Sequence, residues 1–383
     1  MKKKCEIVIC GDICPTPDTK DLFETGNTEG LFKGVNRVFK TADILVGNLE
    51  FPLTDIGMGI VKTGPVLKGK TSYIEIFKKA GFHVLGLANN HIRDCGDEGV
   101  FSTLETCKDA GINTVGAGKN SFDAKQPLIV NAGDWKIGIM AFAENEFNAA
   151  DGTQAGANLL DVYYGFDQIK EFRNKVDYLI VLYHGGIEHY EYPSPMLQKK
   201  CRKMVECGAD LVTCQHSHCI GTEENFGGGK IIYGQGNTVF GYRSEALEWN
   251  NGLVVKLNLS ANKELNASVE YIPICADRAG IDLVPISKSQ LLLKSFFSRS
   301  ERLSDNNAIE ESWDEYCNNK KSAHYLPLLL GLGRIVNFLN RKMGNRIVSF
   351  LYSTKRMRIT QNLIRCESHN EVVNTILRKV NKK

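Results

Sequence analysis

The chain has 383 residues, 47 Lys/Arg against 44 Asp/Glu, and a formal net charge of +3. With 43% hydrophobic and 24% charged residues it excludes a disordered or low-complexity protein, and no window approaches a membrane span. The near-neutral total hides an asymmetry: residues 334–383 hold twelve Lys/Arg and two Asp/Glu, so an acidic body precedes a basic tail.

The length exceeds what one core usually organises, which predicts a large domain over residues 1–285 and a linker with a basic helical region over 286–383. Met1-Lys2-Lys3-Lys4 reads as a basic start to a first strand. Glu6 follows it and the apolar run ends at Gly11-Asp12, too short for a secretory leader. The twelve cysteines form no CxxC pair and no regular spacing, so reduced thiols and a cytoplasmic location are expected.

In chain order, Glu6–Cys10, Ile44–Gly47, His83–Leu87, Asp177–Tyr183 and Asp210–Cys214 read as buried strands, short and rich in Ile, Val and Leu. Helices are predicted over Ser72–Ala80, Glu98–Ala110 and Pro195–Cys207. Each stops at a glycine (Gly81, Gly111, Gly208) that can take the left-handed conformation past a helix end. Residues 126–143, around Gly133-Asp134, read as a hairpin. Lys230–Tyr233, Gly252–Leu259 and Ala267–Ile274 alternate more and suggest an antiparallel part closing the sheet. Strand–helix alternation predicts an α/β layered fold.

Residues 300–321 are polar and read as a linker or an exposed helix. Residues 325–383 are helical in pattern, with Ile335, Val336, Phe338 and Leu339 on one face and Arg334, Arg341 and Lys342 on the other. That pattern fits either a docked helical appendage or a basic amphipathic segment resting on an anionic membrane surface. Aromatics and glycines are not interleaved with the basic residues, so no nucleic-acid partner is expected.

Polar residues with metal-ligating chemistry cluster at the carboxyl ends of the predicted strands, where open α/β sheets place their sites. Asp12 follows the first strand and Asn48 and Glu50 the second. Asn89, Asn90, His91 and Asp94 follow the third, His184 and Glu188 the fourth, His216 and His218 the fifth. Imidazole with carboxylate and amide oxygens suits a pair of borderline dications. A carboxylate can bridge two ions that hold a nucleophile and both ends of an in-line displacement. In an extended segment the two rings of His216-Ser217-His218 would face oppositely, so a turn must aim both.

The motifs Gly11-Asp12, Gly47-Asn48-Leu49-Glu50-Phe51-Pro52-Leu53-Thr54, Ala88-Asn89-Asn90-His91 with Asp94 and Gly96, His184-Gly185-Gly186-Ile187-Glu188, Gly208-Ala209-Asp210 with His216-Ser217-His218, and Gly236-Asn237 with Phe240 stand in order over residues 5–275. Together they resemble the bacterial capsule-synthesis CapA family, associated with poly-γ-glutamate and similar to calcineurin-like metallophosphoesterases.

The resemblance implies an α/β/β/α sandwich of mixed sheets and a C-terminal helical appendage. It also implies two divalent metal ions (Mn, Zn, Fe or Mg). Asp12 and His218 would hold the first, Asn90, His184 and His216 the second. Glu50 would stand at the bridge, with Asn48 beside it, because an amide brings no negative charge. His91 would be the general acid or an imidazole directed at the phosphate, with Asp94 as a candidate orienter. Glu188 would be a further ligand, a group supporting a ligand, or a substrate-side acid or base. Cys14 departs from the Asp-x-His of the superfamily's first motif.

The implied activity is metal-dependent hydrolysis of a phosphoester or related bond in capsule or cell-envelope polymer biosynthesis, on an anionic envelope polymer or a phosphorylated precursor. The alternative is a non-catalytic accessory that binds an anionic polymer within a capsule synthesis or export complex. In either case the basic tail would reach the inner face of the membrane or the capsule machinery.

Overall fold

The computed structural model describes residues 2–261, 265–329 and 331–380. Lys382 and Lys383 of the expected basic tail lie outside them. By internal packing the chain forms two units, Met1–Ile309 and Glu310–Lys383.

The first unit is built on two mixed sheets. One has eight strands. Parallel pairing joins Lys2–Ile13, Ile44–Leu49, Val84–Gly86 and Asn113–Val115. On the other side of Lys2–Ile13, Asn251–Ala261, Leu265–Asp277 and Gly280–Leu283 add on antiparallel, and the short Asn237–Val239 pairs with its end. The six-stranded sheet runs Glu223–Phe226, Gly229–Ile232, Leu211–Gln215, Tyr178–His184, Trp135–Ala143 and Leu128–Ala132, with its four inner strands parallel.

The side-chain alternation of the Tyr178–His184 strand shows how the layers meet. Tyr178, Ile180 and Leu182 join the core shared with the first sheet, while Leu179, Val181 and Tyr183 pack with Leu197, Cys201 and Met204 of the helix Pro195–Glu206. A Cβ at Gly86 would come 3.2 Å from Cδ1 of Leu182, so the two sheets touch directly. Helices lie outside the sheets, which gives the layered α/β class expected from the sequence, followed by a helical C-terminal region.

The apolar runs locate the strands well, and Gly81, Gly111 and Gly208 have φ of 86°, 75° and 113°. The expected hairpin forms between Leu128–Ala132 and Trp135–Ala143, turning at Gly133. Two expectations are corrected. The polar clusters do not come from one sheet edge. Asp12 and Asn48 lie near the ends of strands of the first sheet and Glu50 and Asn90 beyond such ends, while His184 ends and His216 follows strands of the second. Gly229–Ile232 also parts from the later antiparallel strands: it joins the second sheet, antiparallel to Glu223–Phe226 but parallel to Leu211–Gln215. Short apolar runs carry no mark of which sheet they join.

The division expected after residue 285 falls within the first unit. Helix Ile286–Glu301 packs on its sheets through fully buried Phe296, whose ring lies 4.8 Å from that of Tyr271, and Arg299 donates to the carbonyls of Ile220 and Gly221. The second unit is helical, with Arg334–Lys342, Arg346–Leu351, Thr354–Arg365 and Glu367–Val380. Buried Asn340 orders it, accepting from the Val348 N–H and donating to Asn345. Ile335, Phe338, Met343, Phe350, Ile359 and Ile376 stay exposed. Among the described residues no helix is long and apolar enough to cross a membrane.

Candidate metal centre

The strand Lys2–Ile13 reaches the site through a bulge. Its pairing runs Ile9 with Val46 and then Asp12 with Asn48, so an extra residue sits in the first strand. A Cβ at Gly11 would lie 2.2 Å from the Gly236 carbonyl oxygen, so only glycine lets the two backbones close there. The irregularity places buried Asp12 beside Asn48 on one neighbour and Asn237 on the other. Asp12 Oδ1 accepts from Asn48 Nδ2 at 2.7 Å, and Oδ2 from the His216 N–H at 3.0 Å.

His184 ends the Tyr178–His184 strand. Its Nδ1 lies 3.2 Å from Asn48 Nδ2 and its Nε2 lies 3.0 Å from Asn90 Oδ1 and 3.6 Å from Glu50 Oε1. His216 and His218 follow the strand Leu211–Gln215 with φ of 93° and 53°. This is the turn that the spacing required, and such backbone costs about 1–3 kcal/mol per residue unless its surroundings impose it. It sets the rings 4.8 Å (His184 to His216) and 6.1 Å (His216 to His218) apart. His218 Nδ1 is held at 2.8 Å by Asn237 Oδ1, and its ring packs against both Trp249 and Phe240, at 4.5 and 4.7 Å.

Donor atoms of Glu50, His184 and His216 lie within 4.8 Å of one another, and so do those of Asp12, Glu50 and His218. Glu50 belongs to both groups. It has no exposed surface, and neither of its carboxylate oxygens has a hydrogen-bond partner; His216 Nδ1 is also buried and unpartnered. Orphaned acceptors in a buried cluster of imidazoles and carboxylates fit a cation pair. Asn90 Oδ1, 3.0 Å from His184 Nε2, brings an amide oxygen beside the Glu50, His184 and His216 group.

The electrostatics point the same way. Burial, and then the neighbouring Asp12 and Glu188 charges, push Glu50 well above the ordinary carboxylate range. Burial raises Asp12 against the hydrogen bonds from Asn48 and His216. Burial also holds His184 far below an ordinary imidazole and brings His218 down to about 3, with the charge of His216 adding to both. Acids are driven toward their neutral form while imidazoles keep their lone pairs. A dication placed between them reverses the first effect and uses the second. Burial first, then the Glu50 and Asp94 charges, keep Cys14 a thiol, and neither donor group includes it.

Asn48 enters differently from the other expected ligands. Its amide donates to Asp12 and its Oδ1 accepts from Asn89 at 3.3 Å. His91 and Asp94 form a pair beside the cluster, Nδ1 to Oδ2 at 2.6 Å. Glu188 is exposed, and it contacts neither group, though its charge reaches Glu50.

Two residues at the site were missed from the sequence. Lys62 is almost fully buried: it is ion-paired with Asp94 Oδ1, and its Nζ lies 3.2 Å from His91 Nδ1. Its segment is tied down by N–H donors from Ile60 to the Asp94 carbonyl and from Leu67 to Asp94 Oδ2. Glu146 accepts from Asn90 Nδ2 at 3.2 Å and lies 4.0 Å from His216 Nε2. Its signal was available, since Glu144-Asn145-Glu146 follows a strand end just as the other clusters do. Lys62 carried none, lying in a stretch without periodicity.

The family model described as bacterial capsule synthesis protein PGA_cap matches residues 6–242. The chain is 29% identical over 247 residues to the capsule biosynthesis protein CapA of Bacillus anthracis, covering 62% of this chain and 60% of that protein. It is 27% identical over 234 residues to the PGA biosynthesis protein CapA of Bacillus subtilis, covering 60% and 62%. A probable polyglutamine synthesis accessory protein of Mycobacterium tuberculosis is 27% identical over 173 residues, covering 42% and 46%. The matches thus span less than two thirds of the length of each of these relatives.

Proposed function

The chain belongs to the bacterial capsule synthesis family, and from that premise we propose a metal-dependent hydrolase of capsule or cell-envelope polymer biosynthesis, acting on a phosphoester or related bond. Two divalent cations would be held by Asp12, Glu50 and His218 on one side and by Glu50, His184, His216 and Asn90 on the other. Glu50 carries the reading: an unpartnered buried carboxylate shared by two donor groups. A buried carboxylate without a counterion costs several kcal/mol, and a shared dication pair offsets that cost. When bound, the cations supply Lewis acidity and lower the pKa of coordinated water.

The protein's own groups do the rest. Asn48 aims Asp12, and Asn237 fixes the ring of His218. Asp94 engages His91 Nδ1, which leaves Nε2 to give a proton to the leaving oxygen. The substrate would be an anionic envelope polymer or its phosphorylated precursor. To test this, chelated protein is reloaded with Mn or Zn, its metal content measured, and turnover of a bis-aryl phosphodiester followed. Two ions per chain and metal-dependent turnover are expected; a protein that retains no ion overturns the reading.

A second reading is a non-catalytic accessory that binds an anionic polymer. The similarity to a mycobacterial protein named as a probable synthesis accessory favours it. Metal retention with binding but no turnover in every metal form would select it.

For location, we propose that the helices from Arg334 onward rest on the anionic inner membrane face. They combine exposed Ile335, Phe338 and Phe350 with an excess of Lys/Arg, and each basic residue near such a surface contributes about 1 kcal/mol. The full chain should sediment with phosphatidylglycerol-containing vesicles, less with phosphatidylcholine alone, and less again as Phe338→Ser/Phe350→Ser. Equal sedimentation of all three removes the proposal.

A further inference from the structure

Beside the Asp12, Glu50 and His218 group stands an arginine that the donor set does not use. The Arg243 guanidinium sits over the Trp249 ring, its central carbon 3.1 Å from the ring centroid. The same indole lies 4.5 Å from the His218 ring, so the guanidinium is no further from that imidazole than the two separations laid end to end. Two further contacts fix the stack. Trp249 Nε1–H donates to the Phe240 carbonyl at 3.1 Å. The Arg243 backbone is clamped on both sides by Asn250, whose Oδ1 accepts from its N–H and whose Nδ2 donates to its carbonyl.

The side chain is therefore held at both ends, its backbone by Asn250 and its guanidinium by the indole. The guanidinium itself forms no ion pair and no hydrogen bond among the described residues, although the residue is exposed and free to be approached.

From this geometry we propose that Arg243 binds an oxyanion of the substrate, a carboxylate or a phosphate, and so positions the chain whose bond is cut at the metal centre. The proposal rests on the reading of the Glu50 cluster as the substrate site. A planar fork held by an aromatic face is suited to such a group, because little side-chain freedom remains to be lost when its paired N–H donors are engaged. A lysine in its place would keep the charge and lose the fork.

The test is calorimetry on the full-length, metal-reloaded protein with two probes, inorganic phosphate and γ-linked triglutamate, at fixed ionic strength. Metal content, measured separately, reports on the reading of the centre, so a failure there is distinguishable from a failure here. Arg243→Gln is expected to weaken binding of at least one probe by about tenfold or more, with Arg243→Lys intermediate, while metal content stays as in the wild type. Loss confined to phosphate assigns a phosphoryl group, loss confined to triglutamate a carboxylate, and loss of both a general oxyanion site. If neither probe binds the wild type, or both bind Arg243→Gln as tightly as the wild type, the proposal is overturned.

Discussion

Glu50→Gln is expected to stabilise the metal-free protein and to abolish the stabilisation that Mn or Zn gives the wild type. The side chain has no exposed surface, its two oxygens accept no hydrogen bond, and the Asp12 and Glu188 charges act on it from nearby. In the chelated protein it is a liability. An isosteric amide carries no charge and has an N–H group to offer Asp12, which should return about 1–3 kcal/mol. With cations present the order inverts. Wild-type protein at a free-metal concentration a thousandfold above its dissociation constant gains about 4 kcal/mol. A variant without the shared carboxylate loses that gain and at least one of its ions. Thermal melts of both proteins, in chelator and in excess Mn or Zn, with elemental analysis, read both signs. A Glu50→Gln protein that is weaker in chelator, or that melts as much higher with metal as the wild type does, would show that Glu50 is neither a strained group nor a bridge.

Much of this arrangement can be read without coordinates, and the reason is local. A buried parallel strand needs a continuous apolar run, so Ile44–Gly47 and Asp177–Tyr183 announce themselves, and the polar residues just past each run mark the sheet end where a site forms. His216-Ser217-His218 was legible as a turn because two imidazoles cannot face one point from an extended backbone, and both residues have positive φ. What escaped was what depends on the tertiary arrangement. The sharing of Glu50 between two donor groups follows from the bulge at Gly11 and from two sheets meeting, which no single segment encodes. Lys62 comes from a segment without periodicity whose course is fixed by bonds to Asp94, some thirty residues later. The helix Ile286–Glu301 carries one deeply packed side chain, Phe296, in an otherwise exposed pattern, so its polar face hid its attachment to the first unit.

His91→Ala should lower turnover of an aryl phosphodiester by about 10²–10⁴-fold at unchanged metal content, the usual range for a lost general acid. The same range separates it from its neighbours. Asp94 accepts from Leu67 N–H and faces His91 Nδ1 at 2.6 Å, with Lys62 on its other oxygen. Asp94→Asn therefore keeps the shape but weakens the hold on the imidazole, and should cost less than removing His91. Lys62→Met strips a buried carboxylate of its cation, which destabilises a protein by about 3–5 kcal/mol. If Lys62 only positions Asp94 and His91, the loss falls on kcat with KM unchanged, and Lys62→Arg restores part of it. If Lys62 instead contacts substrate, KM rises. Full turnover in His91→Ala would leave the Lys62–Asp94–His91 chain a packing feature and move proton delivery to another group, of which Glu188, exposed and within reach of Glu50, is the next to test.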